Sequence, residues 1–116
     1  MDSEKKARWE AAGIDVETTF ARFMQNESLL DRFMNKFLSE KSWSDLVAAV
    51  DADDMANARP AVHTFKSCCA TLGFTRLNEL AVSQESRMKA DDWAGAKAMM
   101  PELVAEHDKI CAAIAG

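Results

Sequence analysis

Apolar positions recur at steps of three and four along most of this chain, the spacing of helices that each bury one stripe. After Asn26, a capping residue, the set Leu30, Phe33, Met34, Phe37 and Leu38 follows i, i+3, i+4, i+7, i+8 and predicts a helix burying that stripe. Trp43, Leu46, Val47 and Val50 repeat the spacing after Ser42, and the acidic cluster Asp51, Asp53, Asp54 is placed to end this helix and cap the next. From Asp54 the positions Met55, Ala58, Val62, Phe65, Cys69 and Leu72 alternate steps of three and four, as along a bundle seam, until Gly73 closes the helix. Thr75 is the predicted cap of a further helix with the stripe Leu77, Leu80, Ala81, Gln84 and Met88, polar only at Gln84. Capped by Asp91 or Asp92, a last helix carries Trp93, Ala96, Met100, Leu103, His107, Ile110 and Ile114.

Upstream the elements are shorter. Ser3 is the predicted cap of an accessory helix reaching Glu10 and stopped by Gly13, and Asp15 caps a short piece with Val16, Phe20 and Phe23 on its apolar face. Pro60 and Pro101 each remove a backbone donor, which predicts a kink or a late helix start at each. Connections this short favour antiparallel neighbours. The expected fold is therefore all-α, an antiparallel up-and-down four-helix bundle with one or two short accessory N-terminal helices. The whole is expected to be a single domain, with residues 1–13 as the accessory helix and 14–116 as the bundle.

Composition narrows the function. A chain of 116 residues with 48% hydrophobic content can build one core, and its two prolines, four glycines and absent tyrosine agree with helices. A formal charge of −5, with no dense run of lysine and arginine, argues against nucleic acid and for a protein partner. Cys68, Cys69 and Cys111 form no CxxC pair, as suits reduced thiols filling a core in the cytoplasm. From the charged N-terminus and the lack of a long apolar run, neither a signal peptide nor a membrane span is expected. The seven methionines and three tryptophans fall mainly on the apolar stripes and read as packing, and the Asp51, Asp53, Asp54 cluster reads as a capping loop.

Two histidines remain as candidate chemistry, and helical geometry separates them. His107 lies on a seam and reads as a half-buried packing residue. At about 100° per residue, His63 points roughly 130° away from the middle of the Val62, Phe65, Cys69 stripe, so its imidazole faces outward. Arg59, Lys66, Ser67 and Ala70 lie three, four or seven positions from it and share its face. Lys66 can neutralise an incoming phosphoryl group, while the small Ser67 and Ala70 leave room for another protein. Across an antiparallel hairpin, His63 and Glu85 stand level, each 11 positions from Phe74. The Glu85 carboxylate can then accept the Nδ1 proton and leave Nε2 as a nucleophile.

The run Val62-His63-Thr64-Phe65-Lys66-Ser67-Cys68-Cys69-Ala70-Thr71-Leu72-Gly73, followed by Leu77, Ala81 and Glu85, resembles the signature of histidine phosphotransfer (HPt) domains. The resemblance extends from about Ile14 to Ile114. It implies that His63 is the phosphoryl acceptor, that Lys66 stands beside the phosphate and that Glu85 orients the ring. Val62 stands where the family has alanine, Ser67 where it has the glycine that lets a receiver approach, and Gln84 where it has an apolar residue. The family exchanges phosphate with aspartates of receiver domains, in response regulators or hybrid histidine kinases, and has no autokinase activity. The chain is accordingly expected to be a phosphorelay carrier acting as a monomer, with no cofactor of its own and magnesium held only on the partner receiver. A receiver- or kinase-binding module without phosphotransfer is the competing reading, kept alive by Ser67. A metal-binding bundle is a poorer one, since no Glu-x-x-His pair occurs.

Overall fold

The computed structural model describes the whole chain, Met1–Gly116, as helices and short connections, with one isolated backbone bridge between Ile14 and Phe74. The first helix, α1 (Ser3–Ala11), is capped by Asp2, whose carboxylate accepts the amides of Glu4 and Lys5. Ser3, the expected cap, is instead the first helical residue. The carboxylate one position earlier is a charged acceptor facing the positive end of the helix, and it wins over the hydroxyl. Asp15 caps α2 (Val16–Arg22) and Asn26 caps α3 (Glu27–Phe37), as their side chains predict.

In α4 (Lys41–Asp51) the Glu40 carboxylate accepts both the amide and the hydroxyl of Ser42, so the helix starts before that serine. Asp54 caps α5 (Met55–Leu72), which begins well ahead of Pro60 and carries the proline in its interior; of the two outcomes expected there, a late start is not what occurs. Gly73 ends α5 with φ 79°, and α6 (Thr75–Lys89) follows at once with Phe74 at its N-cap and no side-chain cap. Thr75 is therefore inside the helix, because the fully buried Phe74 ring fixes the entry of the chain. The expected last helix is two, α7 (Trp93–Ala98) capped by Asp92 and α8 (Met100–Ala115). They part at Met99, where Pro101, near the start of α8, has no amide to give the preceding turn.

Helix α4 packs along α5, α5 along α6, and α6 against both α7 and α8, while α3 and α1 pack on α8. The bundle thus has four legs, α3 with α4, α5, α6, and α7 with α8. Its long dimension of 43 Å exceeds the roughly 27 Å of α5. The core joins Leu30, Met34 and Phe37 to Leu46, Phe65, Leu77 and Leu103. Phe33 and Leu38, expected on the buried stripe, are 41% and 42% exposed. The Phe33 ring rests at the edge, 5.2 Å from Phe23 and beneath the Lys36 ammonium, and Leu38 falls in the turn after α3. No helix is long and apolar enough to cross a membrane.

His107 lies in the core's aromatic cluster. Its ring stacks on Trp43 at 4.0 Å and 11°, beside Phe37 and Phe65, and burial lowers its pKa from the ordinary value despite the pull of Asp108.

Candidate functional site

Val62, Phe65 and Cys69 are wholly buried, and fixing that stripe turns the next residues of α5 outward. His63 is left 62% exposed at the side chain, near the middle of the helix. Across the turn, the Leu77, Leu80, Ala81 stripe of α6 rolls Glu85 towards α5, where only 7% of its side chain stays exposed. The two meet. Nδ1 of His63 lies 2.8 Å from Oε2 of Glu85.

Oε1 of the same carboxylate accepts from the Lys66 ammonium at 2.5 Å, and the Lys89 ammonium stands 3.8 Å from it. Burial by itself pushes the Glu85 carboxyl up. The hydrogen bonds from Lys66 and His63 and the charges of Lys66 and Lys89 outweigh it and hold the group below the ordinary carboxylate range. Glu85 is then ionised at neutral pH and only accepts, so Nδ1 must carry the proton of that bond, and in the neutral ring the lone pair is the one on Nε2.

Lys66, read from its spacing as a partner for phosphate, lies in this structure with its ammonium on Glu85 and 24% of its side chain exposed. Its carbonyl accepts a 3.0 Å bond from the Asn78 amide, a second tie between α5 and α6 at the site. Arg59, Ser67 and Ala70 are all exposed on α5. The Ser67 hydroxyl donates to the carbonyl of His63 at 3.2 Å, so it lies back along its own helix and does not project from the face.

Two further neighbours lie outside the set that spacing along α5 brings together. Arg22 of α2 donates to the carbonyls of Ala70 and Thr71 at 3.2 and 2.6 Å and pins the C-terminal end of α5. Nothing local signals a contact across that length of chain. Lys89 is different, because it stands four residues after Glu85 and the i, i+4 pair is visible in the sequence.

A groove of about 640 Å³ runs between α4 and α5, lined among others by Glu40, Lys41, Asp45, Pro60, Ala61 and Thr64, and does not include His63. No three His, Cys, Asp or Glu side chains gather closely enough to hold a metal ion. The imidazole thus sits on an open surface of a helical bundle, oriented from behind by a carboxylate.

Such a bundle presents an imidazole on an open face. The family model described as Hpt domain matches residues 29–114, and the chain belongs to that family, whose members carry phosphoryl groups on histidine in phosphorelays and interact with receiver domains. The match begins at Leu29, later than Ile14, so α1 and α2 lie outside it. No curated protein and no solved structure matches the chain.

Proposed function

We propose that this protein accepts a phosphoryl group on Nε2 of His63 from the aspartyl-phosphate of one receiver domain and passes it to the aspartate of another. The Nε2 lone pair forms the N–P bond while the P–O bond to aspartate breaks, and that electron pair leaves on the aspartate carboxylate. The return step is the same reaction reversed. Glu85 keeps the Nδ1 proton throughout and balances the positive charge that spreads over the ring as Nε2 engages phosphorus. Lys66 supplies positive charge to the phosphoryl oxygens, and Arg59, Ser67 and Ala70 form part of the surface on which the receiver sits. In this reading the chain is a carrier without autokinase activity and brings no metal, magnesium being held by carboxylates of the receiver. Receivers of response regulators or hybrid kinases are its partners.

The observation that carries this reading is the short Nδ1 to Glu85 bond behind a largely exposed ring, which leaves Nε2 as the ring nitrogen with no protein partner. A receiver labelled on its aspartate should transfer the label to the protein as an acid-labile, alkali-stable phosphoramidate, and His63→Gln should end the transfer. Label on the Gln variant would overturn the site. Receiver binding that survives His63→Gln, with no phosphoramidate on the native protein, would instead make it a binding module.

A further inference from the structure

Three cationic or donor groups converge on one nearly buried carboxylate, more than the orientation of a single ring requires. Oε2 of Glu85 holds His63, and Oε1 is approached by two ammonium groups at different distances, Lys66 at 2.5 Å and Lys89 at 3.8 Å. They differ in freedom as well: the Lys66 side chain is 24% exposed and Lys89 is 58% exposed.

If His63 receives a phosphoryl group, as proposed above, a charge of roughly −1.5 to −2 appears beside Lys66, one helical turn away on the same face. An ammonium that turns its donors to the phosphoryl oxygens loosens its short bond to Oε1. When Lys66 turns, a carboxylate only 7% exposed keeps a hydrogen bond on Oε2 alone, and a nearly buried charge is costlier to hold with fewer donors. Another cation at hand removes that cost.

We infer that Lys89 is a positioning residue that replaces Lys66 on Oε1 of Glu85 when Lys66 turns to the phosphoryl group. The inference rests on the proposed phosphorylation of His63. In the unphosphorylated protein Lys89 acts on Glu85 only through its charge at 3.8 Å, because the nearer Lys66 holds the hydrogen bond to Oε1. In the phosphorylated protein it keeps Glu85 ionised and in place, so that the carboxylate still holds the Nδ1 proton of the phosphoimidazole.

The test is the equilibrium distribution of label between a receiver and the native protein, Lys89→Gln and Lys89→Arg. Lys89→Gln is expected to shift label towards the receiver by roughly two- to five-fold, the scale of a partly exposed ion pair, and Lys89→Arg to restore the native distribution. A nitrogen-15 spectrum of the His63 ring supplies a readout that a merely structural role would not divide. The Nδ1 signal of unphosphorylated Lys89→Gln should match the native protein, and that of the phosphorylated form should differ. An unchanged distribution in Lys89→Gln overturns the inference, as does a Nδ1 change already present before phosphorylation. Failure of the native protein to accept label at all would sink the proposed function instead, so the two failures are distinct.

Discussion

Replacing Glu85 by glutamine removes a charge and almost no volume, which makes it the sharpest probe of the site. The native carboxylate accepts two charge-assisted bonds, from Nδ1 of His63 at 2.8 Å and from Lys66 at 2.5 Å. A bond to a charged group contributes about 1.5–3 kcal/mol and a neutral one about 0.5–1.5, so an amide that keeps its bond to Nδ1 forfeits roughly 1–1.5 kcal/mol of ring stabilisation. The ring is 62% exposed, and solvent screening favours the lower end of that range. A second effect opposes the first: Lys66, released from Oε1, is freer to meet the phosphoryl oxygens, and an exposed ion pair returns at most about 1 kcal/mol. Orientation outweighs release. At about 1.36 kcal/mol per decade, a loss near 1 kcal/mol reduced by up to about 0.5 kcal/mol for an ordinary exposed pair should slow label transfer from a phosphorylated receiver by roughly two- to five-fold in Glu85→Gln. The Lys66→Gln change should then cost more in the Glu85→Gln protein than in the native one, since only there is the ammonium fully available. The assay is the initial rate of label transfer for the four proteins of this cycle, each with its urea midpoint recorded so that unfolding is not mistaken for chemistry. A native rate in a folded Glu85→Gln protein would refute the claim that the carboxylate orients the ring.

Gly73→Ala should destabilise the fold by more than about 2 kcal/mol, because φ is 79° and the new methyl group would press on the Thr19 side chain and lie 2.9 Å from the Asp15 carbonyl. Gly13→Ala has φ 90° but open space, and should lose only about 1 kcal/mol; equal losses in urea melts would show that crowding at Gly73 is unimportant. Burial lowers the pKa of His107, so the unfolded chain takes up that proton first as pH falls through the ordinary value of 6.5, and the native state loses stability there. The urea midpoint of the native protein should therefore drop between pH 7.5 and 5.5 by more than that of His107→Phe, and parallel drops would contradict this. Asp53 accepts from Trp93 Nε1 at 2.6 Å and from Lys97 at 2.8 Å, and these bonds, the Lys97 one foremost, hold its carboxyl below the ordinary 3.8. Its contribution is present above that value and fades as pH falls through the folded pKa, so Asp53→Asn should be the less stable protein at pH 7 and equal to the native one in strong acid. A gap in urea midpoint that persists at low pH would point to shape and not charge.

What was legible in the sequence is what a helical period and one turn can fix. The stripe of Val62, Phe65 and Cys69 determines which way His63 faces, and a two-residue turn at Gly73-Phe74 leaves one register for the hairpin, which is why Glu85 could be found by counting. Helix starts were less legible, because Asp2 and Ser3, or Glu40 and Ser42, compete for the same amides and a carboxylate prevails by charge. The period alone also cannot say which edge of a stripe a neighbour covers, and so it could not separate Phe33 from Leu30 and Met34. Spacing along α5 put Lys66 beside His63 correctly, but the reach of its ammonium to a carboxylate on α6 depends on how two helices sit together.

Under the proposed function, the same geometry explains why little of the chemistry falls to this chain. The His63 ring makes one hydrogen bond, to Glu85, and the α4–α5 groove does not take it in. An open imidazole cannot exclude water or clamp three phosphoryl oxygens, both of which ease P–O cleavage. Under the proposed function those tasks pass to the receiver, which already needs them to hold its own aspartyl-phosphate. What this chain must supply is rigidity behind the nucleophile. Helix α5 is held at its start by Asp54, in its middle by the bond from Asn78 and at its end by Arg22, while Val62, Phe65 and Cys69 anchor its inner face. A receiver arriving at such a surface meets a ring whose direction is already set, so little ordering of the carrier remains to oppose transfer in either direction.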